Sequence, residues 1–295
     1  MMSATPSLFS LVEDGFISML AADHRTSLAR MLNPQNPRSI SAAKLCDVKR
    51  DIVKALSPFA SATLLDHDAA KFCQRAKALT NGSALVLSLE KGGHAAVGGE
   101  RVAQLDPATS PLQARKAGAA GVKLKLYYNP RYPNSAAKQF ALLKRVRKDC
   151  LSAGIPLFLE LLLYEVSLDF WEGSVLASAR ELSPYCDLLG AQFPTFSMNA
   201  ETAIRACKRI SGAVPVPWIL LSDQADFLQF KSQLELACRG GASGFAGGRT
   251  IWREAVRMPP AERSEFLNVV SSGRLIRLRN VLKKNGRRVD DVHVG

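Results

Sequence analysis

Gly247, Gly248 and Arg249 stand between a short apolar run, 243–246, and a segment carrying Ile251, Trp252, Ala255 and Val256 at helical spacing. Glycines at such a strand-to-helix turn let backbone N–H groups approach an anion, and the neighbouring arginine adds a planar cation. The spacing matches neither the dinucleotide fingerprint nor a Walker loop, because no Lys-Ser/Thr follows the glycines. The expectation is a phosphate site; the plainer alternative is a glycine turn that packs a helix closely on a strand.

A second group lies on two apolar segments. In 121–128, GVKLKLYY, strand alternation sends Val122, Leu124 and Leu126 to one face and Lys123 and Lys125 to the other. In 156–164, PLFLELLLY, Glu160 shares a face with Phe158 and Leu162. A carboxylate buried alone is costly, about 3–5 kcal/mol when one partner of a buried pair is missing, so Lys123 or Lys125 is its expected partner. Either a structural ion pair or an active-site pair fits this pattern. Asp23, His24 and Arg25 form a third group, directly after the apolar run 16–22.

The elements that must position these groups alternate along the chain. Short apolar runs at 16–22, 62–65, 84–89, 121–128, 156–164, 187–193, 217–222 and 243–246 are each followed by loop or by residues at helical spacing. Several end on polar groups: Asp23-His24-Arg25, Asp66, Glu90-Lys91, and Ser222-Asp223. Asp226 and Gln229 have capping-box spacing, and Asn199 can cap another helix. Eight strand–helix units predict one (β/α)₈ barrel at about 15–258, with its chemistry at the strands' C-terminal ends. A C-terminal helical extension occupies about 260–295, and no second domain fits within 1–295.

Composition suits a single compact domain: 47% of residues are hydrophobic and 22% charged. No apolar run is long enough to span a membrane and no secretory signal is evident, so a cytoplasmic protein is expected. The six cysteines form no CxxC pair; reduced, buried thiols are expected, with no metal site and no cofactor. A net charge of +13 favours anionic partners. Arg274, Arg277, Arg279, Lys283, Lys284, Arg287 and Arg288 crowd the end of the chain, but Leu275, Ile276, Leu278, Val281 and Leu282 keep a helical face there. A solvated helix with a frayed basic end is the expectation, rather than a nucleic-acid surface, for which no aromatic platform is present.

LAADHRTSL at 20–28 resembles the LAVDQRGS stretch of the tagatose-1,6-bisphosphate aldolase family, which includes the sulfofructose-phosphate aldolases. The likeness continues in order through ALSPFASATLLDHD, LVLSLEKGG, GVKLKLYYNP, PLFLELLLY, PWILLS and GASGFAGGRTIW. It implies a class I, metal-independent aldolase that cleaves a phosphorylated or sulfonated ketose through a lysine Schiff base, and a homo-oligomer. By position it implies catalytic roles for Asp23, Lys123 and Glu160. It also assigns substrate contacts to Arg25, to His24 where glutamine is usual, and to Ser222, Gly247, Gly248 and Arg249.

The sixth strand departs from the family at two site positions. Where its sixth strand reads like DLYKVEMP, this chain has DLLGAQFP, placing Gly190 at the Schiff-base lysine and Gln192 at the following glutamate. Glycine carries no amine, so the covalent route cannot start there. Three readings remain. The first is a lyase or transaldolase-like enzyme whose imine forms on Lys123 or Lys125. The second is a sugar-phosphate isomerase or epimerase without an imine, and the third a catalytically degenerate homologue that binds a sugar phosphate as a sensor or regulator.

Overall fold

The computed structural model describes residues 7–80, 82–97, 100–197 and 199–292. Eight parallel strands close into a barrel: β1 (Ile17–Ala21), β2 (Ala62–Leu65), β3 (Ala84–Ser88), β6 (Gly121–Tyr128), β7 (Leu157–Leu163), β8 (Leu188–Ala191), β9 (Trp218–Leu221) and β10 (Gly244–Gly247). Around the ring they run β1-β10-β9-β8-β7-β6-β3-β2, so β6 and β10 face each other across the barrel. The remaining two strands, β4 (Ala95–Val97) and β5 (Glu100–Val102), form an antiparallel hairpin. The two residues between its strands, Gly98 and Gly99, lie outside the described residues.

Strand alternation sorts the core into two parts. Val122, Leu124 and Leu126 join the layer between barrel and helices, while Phe158, Leu188, Ile219 and Leu221 fill the interior with Ile17, Met19 and Leu64. Closure requires a very close approach between β10 and β1: a β-carbon on Gly244 would lie 2.1 Å from the Ile17 carbonyl oxygen. Only glycine fits there.

Side-chain caps begin several helices. Asp66 accepts from the Ala69 N–H, Asn199 from Thr202 and Asp226 from Gln229, opening helices at His67–Arg75, Ala200–Ala213 and Phe227–Arg239. The segment after β10 is shorter than its spacing suggested: one α-turn, Arg249–Trp252, passes into a 3₁₀ turn, Arg253–Arg257.

The basic C-terminal segment is packed rather than frayed. In Ser272–Asn285, Leu275, Leu278, Val281 and Leu282 are buried, and Val289 plugs the barrel floor beside Leu11. Its cations meet acids from elsewhere in the chain: Arg274 pairs with Glu254, Arg279 with Glu13 and Lys283 with Asp14. Those pairings occupy much of the positive cluster that composition alone displays. No helix of the described residues is long and apolar enough to cross a membrane.

Candidate active site

Lys123 is the centre of the site. Its side chain is fully buried, and its Nζ donates to Asp23 Oδ2 at 2.6 Å, to Glu160 Oε2 at 2.7 Å and to Glu90 Oε1. Three strands thus converge on one ammonium: Asp23 follows β1, Glu90 follows β3 and Glu160 lies midway along β7. Burial acts to lower the Lys123 pKa, but Asp23, Glu160 and Glu90 more than offset it and hold it well above the ordinary lysine value. At Asp23 burial acts upward, and Lys123, His24 and Lys125 more than offset it, keeping the carboxyl well below its usual range. The arrangement stores a proton firmly on Lys123.

Glu90 was visible in the sequence only as a strand-terminal charge. Its second oxygen accepts from the Lys125 backbone N–H at 3.1 Å, so the same carboxylate ties β3 to β6. The β6–β7 register supplies the rest, pairing Lys123 with Phe158 and Lys125 with Glu160.

Lys125 is half-buried, with its Nζ 5.4 Å from the Tyr127 ring centroid. Burial and Lys123 press its pKa down; Glu160 and Glu90 act upward, and the balance lies above the ordinary value. In the next registers Glu160 stands opposite Gly190, so Lys125, Glu160 and Gly190 occupy one level of the barrel. Gly190 leaves little room for a side chain. A β-carbon there would come within 2.7 Å of Leu221 Cδ2 and 2.7 Å of Phe158 Cε2. Gln192 is a tie between strands: Oε1 accepts from Leu163 N at 2.7 Å and Nε2 donates to Asp223 at 2.8 Å.

The anion-binding candidates lie at the β1, β9 and β10 ends of the mouth. Ser222 Oγ accepts from the Gly248 N–H at 3.3 Å, joining β9 to the glycine turn. Arg249 is partly exposed, and its buried Nε has no hydrogen-bond partner among the described residues. Its charge is therefore available to a ligand. Arg25 is more constrained: Nη1 meets Asp106 at 2.6 Å and Nε lies 3.6 Å from Asp66, which also holds buried Lys49. Only its Nη2 is buried without a partner. The Lys49–Asp66–Arg25–Asp106 network was not evident in the sequence, because its members come from four separate segments.

His24 lies between the two halves of the site. Its ring packs edge-on against Trp252, 5.3 Å between centroids, while Trp252 Nε1 donates to the Ala21 carbonyl. Nδ1 is 3.8 Å from Asp23 Oδ1, beyond hydrogen-bond distance. Burial, the largest influence, pushes the imidazole down to about 3; Arg249, Lys49 and Lys123 act the same way and Asp23 opposes them. His24 is therefore neutral at pH 7.

The parallel barrel carries these ionisable groups toward the C-terminal ends of its strands, where (β/α)₈ folds place their functional sites. The chain belongs to the DeoC/LacD family of class I aldolases, whose model matches residues 17–254. It is 28% identical over 273 residues to a tagatose 1,6-diphosphate aldolase of Listeria monocytogenes serotype 4a (strain HCC23), covering 83% of this chain and 80% of that one. Tagatose 1,6-diphosphate aldolase 2 of Streptococcus pyogenes serotype M1 is 26% identical over 310 residues, 94% of each chain. Among solved structures, an archaeal fructose 1,6-bisphosphate aldolase superposes with a TM-score of 0.60 at 20% identity, covering 90% of this chain and 96% of that one. The fructose-bisphosphate aldolase from Plasmodium falciparum superposes with a TM-score of 0.72 at 14% identity, covering 94% and 93%. These two likenesses are of fold.

Proposed function

We propose that the barrel mouth binds a phosphorylated ketose without forming a lysine imine, so that the protein acts as a sugar-phosphate sensor or regulator built on an aldolase scaffold. The observation that carries this is the Lys123 ammonium, enclosed by Asp23, Glu90 and Glu160. An imine begins with attack by a neutral amine. Lys123 is held in the opposite state, and Gly190 offers no amine in its place. Support for an anionic ligand comes from Arg249, whose buried Nε has no hydrogen-bond partner among the described residues, beside the turn where the Gly248 N–H meets Ser222. The relatives' names support a phosphorylated ketose as the ligand class.

A second reading is favoured by one relationship. Lys125 is level with Gly190 and faces Glu160 in register, so a lyase that moved its amine two strands round would use Lys125. In that reaction Lys125, itself held above the ordinary lysine value, must first lose its proton; the amine then attacks the ketose carbonyl, water leaves the carbinolamine, and Glu160 with Asp23 relays protons during carbon–carbon cleavage. Borohydride reduction with dihydroxyacetone phosphate separates the two. A binder gains thermal stability without covalent mass, whereas a lyase acquires a reduced adduct on Lys125.

A further inference from the structure

His24 has two polar edges: one looks toward a carboxylate and the other packs against the glycine turn. The Nδ1 edge looks toward Asp23 at 3.8 Å and has no hydrogen-bond partner among the described residues. The opposite edge lies against the glycine turn: a β-carbon on Gly248 would be 2.7 Å from His24 Cε1 and 3.4 Å from Nε2. Trp252 fixes the ring from the side. The imidazole therefore spans the gap between the carboxylate cluster and the segment that carries Gly247, Gly248 and Arg249.

A neutral imidazole has one donor and one acceptor, whereas an imidazolium donates from both nitrogens. Burial is the largest influence opposing the second proton, and neighbouring cations add to it. Arg249 from the turn after β10, Lys49 from the helix Ala42–Leu56 and Lys123 from β6 all repel it, and Asp23 alone attracts it. An anion at the glycine turn changes that balance, because it counters Arg249 and adds negative charge beside the Nε2 edge.

We propose that His24 takes up a proton when an anion binds at the Gly247–Gly248–Arg249 turn, becoming a two-sided donor with Nε2 directed to the anion and Nδ1 to Asp23. Binding here is then linked to pH, and the protein responds to ligand and acidity together. This inference rests on the proposed anion site. Asp23 is held below its usual range and Lys123 above its own, so neither changes state between pH 6 and 8.

Inorganic sulfate is the probe of choice, since it has no titrating proton in this range. Calorimetric titration of the full chain in buffers of different ionisation heat counts the protons taken up. The expected count is ~0.5–1 proton per sulfate at pH 6.5, with affinity rising by up to ~10-fold per pH unit as pH falls from 8 to 6. His24→Gln is expected to bind sulfate with pH-independent affinity and no uptake. Sulfate binding to the unaltered protein without proton uptake overturns the inference while leaving the anion site standing, and so does equal uptake in His24→Gln. Failure of sulfate and phosphate to bind at all overturns the anion site and the linkage with it. The proton count needs no variant, so it remains decisive if His24→Gln does not fold.

Discussion

The ring of Phe158 lies against the α-carbon of Gly190, so close that a β-carbon on the glycine would stand 2.7 Å from Cε2 and 2.9 Å from Cζ. The two residues are on adjacent strands, and Leu221 closes the same space from β9. The position that carries the reactive lysine in the resembling family is therefore filled as well as changed. Restoring an amine by Gly190→Lys forces a large side chain into a packed interior, at an expected cost of about 1–3 kcal/mol. Urea unfolding checks this: Gly190→Lys as stable as the unaltered protein contradicts the packing described.

Lys123 holds three carboxylates together, and its removal leaves them facing one another. Lys123→Met is expected to lose about 3–5 kcal/mol at pH 7, since the orphaned charges remain buried. The loss should shrink as pH falls toward 4, where the carboxyls can protonate and the repulsion fades. Denaturant unfolding at several pH values reads both effects. Unchanged or increased stability in Lys123→Met at pH 7 shows that the ammonium is not the element organising the cluster.

His24 and Asp23 shape the acid limb of stability in different windows. A histidine in the unfolded chain titrates near 6.5, while His24 in the fold is pushed down to about 3. Between those values the unfolded chain binds a proton that the native protein does not, so stability falls as pH falls, by up to ~1.4 kcal/mol per pH unit. The depressed Asp23 carboxyl adds stability that is complete above its unfolded value of 3.8 and is lost below it. His24→Gln should flatten the slope between pH 6.5 and 4 and leave the steeper loss at lower pH. Parallel slopes for the two proteins in the upper window contradict a buried neutral His24.

The buried Nε of Arg249 has no hydrogen-bond partner among the described residues, so replacing this side chain tests the proposed anion site apart from folding. Arg249→Ala should change the stability of the unliganded protein by no more than about 0.5 kcal/mol. It should weaken phosphate binding by about 1.5–3 kcal/mol, the range for a hydrogen bond to a charged group. Melting curves with and without inorganic phosphate test both values. Undiminished stabilisation by phosphate in the variant removes Arg249 from the anion site.

Much of this architecture was legible in the sequence. Short apolar runs, several of them ending in polar groups, located all eight barrel strands, and period-two alternation placed Lys123 and Lys125 inside with Val122, Leu124 and Leu126 outside. It also anticipated a lysine partner for Glu160. The threefold grip on Lys123 was not legible, because Asp23, Glu90 and Glu160 lie far apart in sequence and only barrel closure unites them. Arg25 looked as free as Arg249; the acids that hold it, Asp66 and Asp106, come from separate loops. The hairpin Ala95–Val102 was hidden in glycine-rich sequence, which lacks a strong strand pattern. The C-terminal cations looked like an open surface, since their pairings with Glu13, Asp14 and Glu254 depend on how the barrel floor is sealed.

Intact-mass spectrometry after borohydride reduction, with dihydroxyacetone phosphate and a panel of ketose mono- and bisphosphates, tests the central claim most directly. Alongside it, melting curves of the same samples report whether each compound binds. Phosphate-dependent stabilisation with no covalent mass gain is the expected result, because Lys123 is held as an ammonium and Gly190 supplies no amine. A reduced adduct of substrate mass, mapped to Lys125 or Lys123 by peptide analysis, contradicts that account and makes the protein an imine-forming lyase with a relocated lysine.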